Sequence, residues 1–220
     1  MVKTRQWILA EKPSDLPQLD GPNPTFKLQE TDLPDLQDDQ VLVKGTYLSN
    51  DPAQRGWISN TINPDRLYVP PVAEGEVMRT RGLAEVVESK SSKYKAGDSV
   101  LVSIGWAEYG IFPTKECQPA PDLPGGYNKT HYLGALGLTG LTAYFGLLEV
   151  VGTKASDTVV VSGAAGATGM MAVQIAKKII GCKRVVGMAG TDEKCKWVES
   201  LGADVCLNCK QDAPLTWCTV

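Results

Sequence analysis

The chain has 220 residues, 22 of them basic and 25 acidic, for a net charge of -3. Charge this balanced, with no basic block, argues against a polyanion such as nucleic acid as partner, and no apolar run reaches the roughly 18 uninterrupted residues that cross a bilayer. The length allows about two modest domains or one large one, and the expectation is a soluble cytoplasmic protein with neither nucleic acid nor membrane as partner.

Up to about residue 125 the texture is β-rich. Short apolar runs at 6–10, 40–47 and 82–88 alternate with turns rich in Pro, Asp and Gly; residues 95–103 read as a turn entering a strand, and 107–112 as a further strand. Residues 119–129 hold three prolines and two glycines and read as a linker. The chain is thereby divided into a β-rich domain over 1–128 and a second domain over 129–220. Residues 132–151 are apolar, but repeated glycines together with Thr139, Thr142 and Glu149 argue for a buried helix at a domain junction rather than a membrane span.

Four strand formers, Thr158 to Val161, are followed by Gly163, Gly166 and Gly169, after which Met170, Val173, Ile175 and Ala176 take up helical spacing. That order reads strand, tight turn, helix. A Cβ in such a turn keeps the backbone away from a pyrophosphate, whose charge is held by amides at the helix N-terminus. The spacing is Gly-x-x-Gly-x-x-Gly, with Ala164 in place of the usual first glycine of the dinucleotide fingerprint. Residues 184–189 form a second strand, 190–194 open a second helix ending near Leu201 and Gly202, and 204–207 form a third strand. A β-α-β-α-β run of this kind is half of a doubly wound dinucleotide fold. The second strand ends in Ala189, Gly190 and Thr191 with Lys194 a turn further on, rather than in an acid that would bond a ribose hydroxyl. Small residues, a hydroxyl and a cation suit a 2′-phosphate and so favour NADP over NAD. Asp192 and Glu193 read as acids that complement the dipole at a helix N-terminus.

Other chemistry is sparse. The pair Cys206 and Cys209 has metal-type spacing without the second pair a zinc ribbon needs, so no metal is expected and Cys206 reads as a core residue of the third strand. His131 reads as a packed or surface residue. Tyr47, Tyr109 and Tyr144 are proton donors by type, with packing the preferred role for each.

Residues 48–55 (Leu-Ser-Asn-Asp-Pro-Ala-Gln-Arg), 105–109 (Gly-Trp-Ala-Glu-Tyr), 136–144, the loop at 164–169 and residues 191–194 together resemble the zinc-free branch of the medium-chain dehydrogenase/reductase superfamily. Within it the likeness is to leukotriene dehydrogenases, prostaglandin reductases and alkenal double-bond reductases, and it covers nearly all of residues 1–210. The resemblance implies an α/β protein: a GroES-like β domain followed by the first half of a Rossmann domain. It implies NADP as cofactor, an enone or alkenal as small-molecule substrate, hydride transfer to an activated carbon-carbon double bond, and leaves a homodimer open. Carried over by position, Gly166, Ala167, Thr168 and Gly169 would hold the pyrophosphate and Lys194 the 2′-phosphate. Two departures loosen this: Ala53 stands where the family has a pocket aromatic, and Cys209 where it has a tyrosine near the adenosine phosphate. The stretch aligned with the zinc-dependent relatives' ligand element, residues 73–82, has no Cys or His, and no catalytic acid is assigned.

The family's cofactor sheet continues through three further strands, whereas residues 211–220 no longer follow its pattern and read as an unrelated tail. The expectation is a truncated chain with little or no reductase activity and with Thr158 to Val161 left as a sheet edge. Three functions stay open: reduction of activated double bonds, a non-catalytic remnant, and a quinone or alcohol oxidoreductase of the same fold.

Overall fold

A computed structural model describes residues 2–211, which fall into two compact units, Met1–Thr130 and His131–Val220. The first unit is built from antiparallel strands. β1 (Lys3–Leu9) pairs with β2 (Phe26–Asp32), and a second sheet runs β6-β3-β4-β5-β7 from β3 (Gln40–Leu48), β4 (Gly82–Ser89), β5 (Ser99–Val102), β6 (Tyr109–Pro113) and β7 (Gln118–Pro119). Alternating apolar residues turn Val41, Val43, Val86, Val100 and Val102 into one core, and the buried Tyr94 hydroxyl donates to the Cys117 carbonyl at 2.8 Å. A second cluster gathers Leu9, Phe26, Ile58, Val72 and Met78 beside a short helix α1 (Ala53–Trp57).

Three expectations change in detail. The sequence gives no signal for β2, because nearly all of its side chains face solvent and no apolar alternation exists; its full register with β1 makes it a strand. The residues read as a linker are held to the first unit: β7 pairs with β5, Ala120 N–H donates to the Ser99 carbonyl at 2.9 Å, and Lys129 Nζ donates to Ser99 Oγ at 2.8 Å. Tyr47, read as a packing residue, is 52% exposed on β3.

In the second unit β8 (Thr158–Val161), β9 (Arg184–Ala189) and β10 (Val205–Asn208) form a parallel sheet in the order β10-β9-β8. Helix α3 (Ala167–Gln174), continued by a π-helical turn Ile175–Ile180, connects β8 to β9, and α4 (Asp192–Leu201) connects β9 to β10. Their inward residues Val173, Ala176, Cys195 and Val198 close over Val161, Val185 and Cys206 of the sheet, in accord with the core reading of Cys206. Ahead of them α2 (Leu138–Phe145) packs against α3 and runs into a π-helical turn Gly146–Val150.

The continuous buried helix expected over 132–151 is not what forms. A 3-10 turn at Lys129–Leu133 is followed by α2, in which only Gly140 and Ala143 are buried while Leu138, Leu141, Tyr144 and Phe145 are exposed. Packing acts on the narrow small-residue face, so the apolar composition elsewhere does not report burial. Tyr144, also read as a packing residue, is 42% exposed and meets Phe145 edge-on.

Candidate functional site: the glycine turn and the strand ends of the second unit

The chain leaves β8 through Gly163, whose φ of +60° is a left-handed conformation that glycine adopts without strain. Gly166 N–H donates back to the Gly163 carbonyl at 2.8 Å, which makes the turn tight and delivers Gly166 as the residue that opens α3. A Cβ on Gly166 would stand 3.2 Å from Gly163 O, and one on Gly169 only 2.3 Å from the same atom and 2.8 Å from Ala164 Cα. The first turn of α3 therefore presses directly on the loop, and a side chain at Gly169 would separate them.

The result is a row of free donors. Gly166 caps α3 without a side chain, and Met170 N–H is the first to bond back, to the Gly166 carbonyl at 2.9 Å. The amides of Ala167, Thr168 and Gly169 have no acceptor among the described residues, and no acidic side chain stands in that turn. Three convergent N–H groups at the positive end of a helix dipole, with bare backbone on both sides, fit an anion such as a pyrophosphate.

Ala164 in place of the fingerprint glycine has a physical explanation. It is fully buried, and its N–H donates to the Met188 carbonyl at 2.9 Å, which ties the turn to β9. On the facing strand stands Gly187, where a Cβ would lie 3.2 Å from Ala164 Cβ and 2.6 Å from a Val198 methyl. The missing methyl is thus on β9 rather than in the turn. Gly187 is a residue that the sequence reading did not single out; an isolated glycine in a buried strand is the signal that points to such an approach.

At the end of β9, Thr191 is the N-cap of α4, its Oγ1 accepting from Lys194 N–H at 3.2 Å. Lys194 is exposed in the first turn with Asp192 and Glu193, which occupy the helix N-terminal positions expected for them. Asp192 is also bound from elsewhere: Asn208 Nδ2 donates to its Oδ1 at 2.5 Å. The parallel ladder of β10 and β9 runs to the Asn208–Ala189 pair, with Cys209 N–H donating to the Ala189 carbonyl at 2.9 Å. The structure thus brings Gly166, Ala167, Thr168 and Gly169 together in one turn and sets Lys194 at the opening of the next helix.

The thiols offer little. Burial and the neighbouring Cys195 push Cys206 up to about 12, and burial pushes Cys117 up to about 11. Neither is a ready thiolate. Among the described residues no three His, Cys, Asp or Glu side chains are grouped as metal donors; Cys218 lies outside those residues.

Comparison with known proteins places this geometry. Residues 5–120 match the family described as the N-terminal domain of oxidoreductase, and residues 167–218 match one described as zinc-binding dehydrogenase. The chain is 38% identical over 211 residues to prostaglandin reductase 1 of Bos taurus, covering 96% of this chain and 59% of the relative. It is 40% identical over 207 residues to the NADPH-dependent curcumin reductase of Escherichia coli, covering 94% of this chain and 56% of the relative. Among solved structures, CurA from Vibrio vulnificus superposes with a TM-score of 0.82 at 35% identity, covering 94% of this chain and 58% of that one. The same protein in complex with NADPH superposes with a TM-score of 0.77 at 34% identity, covering 93% and 57%. The chain thus spans somewhat under three-fifths of the length of these relatives. With a β-rich N-terminal unit, half of a Rossmann sheet and these relatives, the chain belongs to the medium-chain dehydrogenase/reductase superfamily, with prostaglandin reductase and curcumin reductase among its homologues.

Proposed function

We propose that this chain binds NADPH through its second unit and serves an oxidoreductase that reduces activated carbon-carbon double bonds in small enones or alkenals. The observation that carries the reading is the row of unpartnered amides at Ala167, Thr168 and Gly169 over the Gly163 turn. In this reading Gly166, Ala167, Thr168 and Gly169 hold the pyrophosphate and Lys194 meets the 2′-phosphate. Bound NADPH would supply the reducing equivalent. The relatives support the choice of cofactor, one being an NADPH-dependent reductase and another a structure holding NADPH. In this reading the site requires no metal.

Calorimetry with NADPH and NADH tests the cofactor assignment. Lys194→Ala is expected to weaken NADPH binding by about 1–3 kcal/mol, the scale of a lost charge-assisted hydrogen bond, and to leave NADH nearly unchanged. Equal losses for the two cofactors contradict it. Product analysis with an enone, a quinone and an alcohol then distinguishes double-bond reduction from the other oxidoreductase chemistries, and metal analysis of the purified protein checks zinc independence.

A further inference from the structure

The turn that follows β10 does more than end a strand. Asn208 Oδ1 accepts from Lys210 N–H at 3.1 Å, and Gln211 N–H donates to the Asn208 carbonyl at 3.0 Å, so the backbone bends tightly at residues 208–211. Cys209 N–H, bonded to the Ala189 carbonyl at 2.9 Å, is the last bond of the parallel ladder between β10 and β9, so the bend begins beside the end of β9. From there the Lys210 side chain lies over Gly190: a Cβ placed on Gly190 would meet Lys210 Cε at 3.6 Å, ordinary van der Waals contact. The aliphatic stem of Lys210 therefore covers the backbone where β9 ends, and its ammonium group is carried to the same place. Meanwhile Asn208 Nδ2 occupies one oxygen of Asp192, the first acid after that strand end.

We infer that Lys210 is a second specificity-determining cation for the cofactor's 2′-phosphate, and that Asn208 is a positioning residue which engages Asp192 so that it does not serve a free ribose hydroxyl. The inference rests on the NADPH reading. Discrimination between the two dinucleotides is decided at the end of the second strand of the sheet, where an acid selects the hydroxyl and cations select the phosphate. Here a lysine stem from the turn after β10 lies against Gly190, and an amide engages one oxygen of the acid that would compete. Both devices come from the one bend after β10, and Asn208 serves both, since its Oδ1 shapes the bend and its Nδ2 reaches Asp192.

Binding of NADP+ and NAD+ to the 220-residue chain, measured by calorimetry, tests this without reference to turnover. Lys210→Ala is expected to lose about tenfold in NADP+ affinity and less than about twofold in NAD+ affinity, the loss fitting one charge-assisted contact. Lys210→Arg, which keeps the charge, is expected to retain most of the NADP+ affinity. Asn208→Ala is expected to narrow the preference from the other side, by raising NAD+ affinity as well as lowering that for NADP+. A wild-type preference for NADP+ that Lys210→Ala leaves intact overturns the role of Lys210, and an unchanged cofactor ratio in Asn208→Ala overturns the positioning role. No preference in the wild-type chain, or no binding of either dinucleotide, overturns the NADPH reading itself and this inference with it.

Discussion

Both units bury a core and both leave large apolar residues exposed, Leu16, Leu19 and Tyr68 in loops of the first, and Leu138, Phe145 and Val160 on a helix and a strand of the second. In the first, Leu9, Val41, Val43, Val86 and Val100 are wholly buried, because antiparallel strands need only one covered face and their sequence alternates to match. In the second, β8 carries three consecutive valines; Val161 is buried whereas Val160 is 62% exposed. Among the described residues β8 has a strand partner on one side only. A parallel sheet calls for cover on both faces, and the four-residue β8 is written for that cover on each side. The valines of β3 are thus core, whereas Val160 of β8 and the apolar side chains of α2 away from Gly140 and Ala143 are surface. The second unit is nevertheless where the turn proposed to hold an anion lies, since such a turn needs bare backbone rather than a large core.

Core truncation gives the largest separation between the two. Leu9→Ala should cost about 2–5 kcal/mol in denaturant unfolding followed through the first unit, from lost burial and the cavity left behind. Leu141→Ala, on the half-exposed face of α2, should cost under about 0.5 kcal/mol. Similar losses from the two changes would break the contrast.

Next in size is Gly169→Ala. The added methyl meets backbone at 2.3 Å, so the loop must shift; the expected cost is about 1–3 kcal/mol together with loss of NADPH binding. Stability lowered with binding retained would show that the closeness of turn and helix is a packing device and not part of the anion site.

Acid should weaken both units by the same mechanism. In the first, Asp39 accepts from Thr114 Oγ1 at 2.7 Å and Ser91 Oγ at 2.8 Å, and these bonds hold its carboxyl below the usual 3.8. In the second, Asp204 is held below 3.8 first by Lys177, which donates at 2.7 Å, and then by the Val185 N–H at the same distance. A depressed carboxylate stabilises the fold above its unfolded value, and that contribution is lost as pH falls through the still lower folded value. Stability should therefore decline below about pH 4, with Asp39→Asn and Asp204→Asn each flattening the acid limb of its own unit. An acid limb unchanged in both variants would assign the acid sensitivity to other carboxylates. The smallest effect is Val160→Lys, expected to leave stability within about 0.5 kcal/mol while raising solubility. A large loss there would mean that the exposed valine edge is covered in solution.

The sequence alone determined the elements whose signals are local. Thr158 to Val161, the three glycines behind them, the second strand at Arg184–Ala189 and the helix entered through Thr191 are all legible, because strand propensity, glycine sterics and helix capping act over a few neighbouring residues. The third strand lies one residue later than read, since Asp204 spends its side chain on Lys177 and Val185 N–H at the strand entrance. What the tertiary structure decided is everything that joins residues far apart in the chain. β2 exists through its pairing with β1, and the face of α2 that is buried is chosen by its packing on α3. Ala164 is tolerated in the turn because Gly187 stands opposite. Asn208 meets Asp192, and Lys210 covers Gly190, only because the parallel register of β9 and β10 brings their ends together. No local pattern encodes such meetings: they follow from strand order and register, which are properties of the assembled sheet.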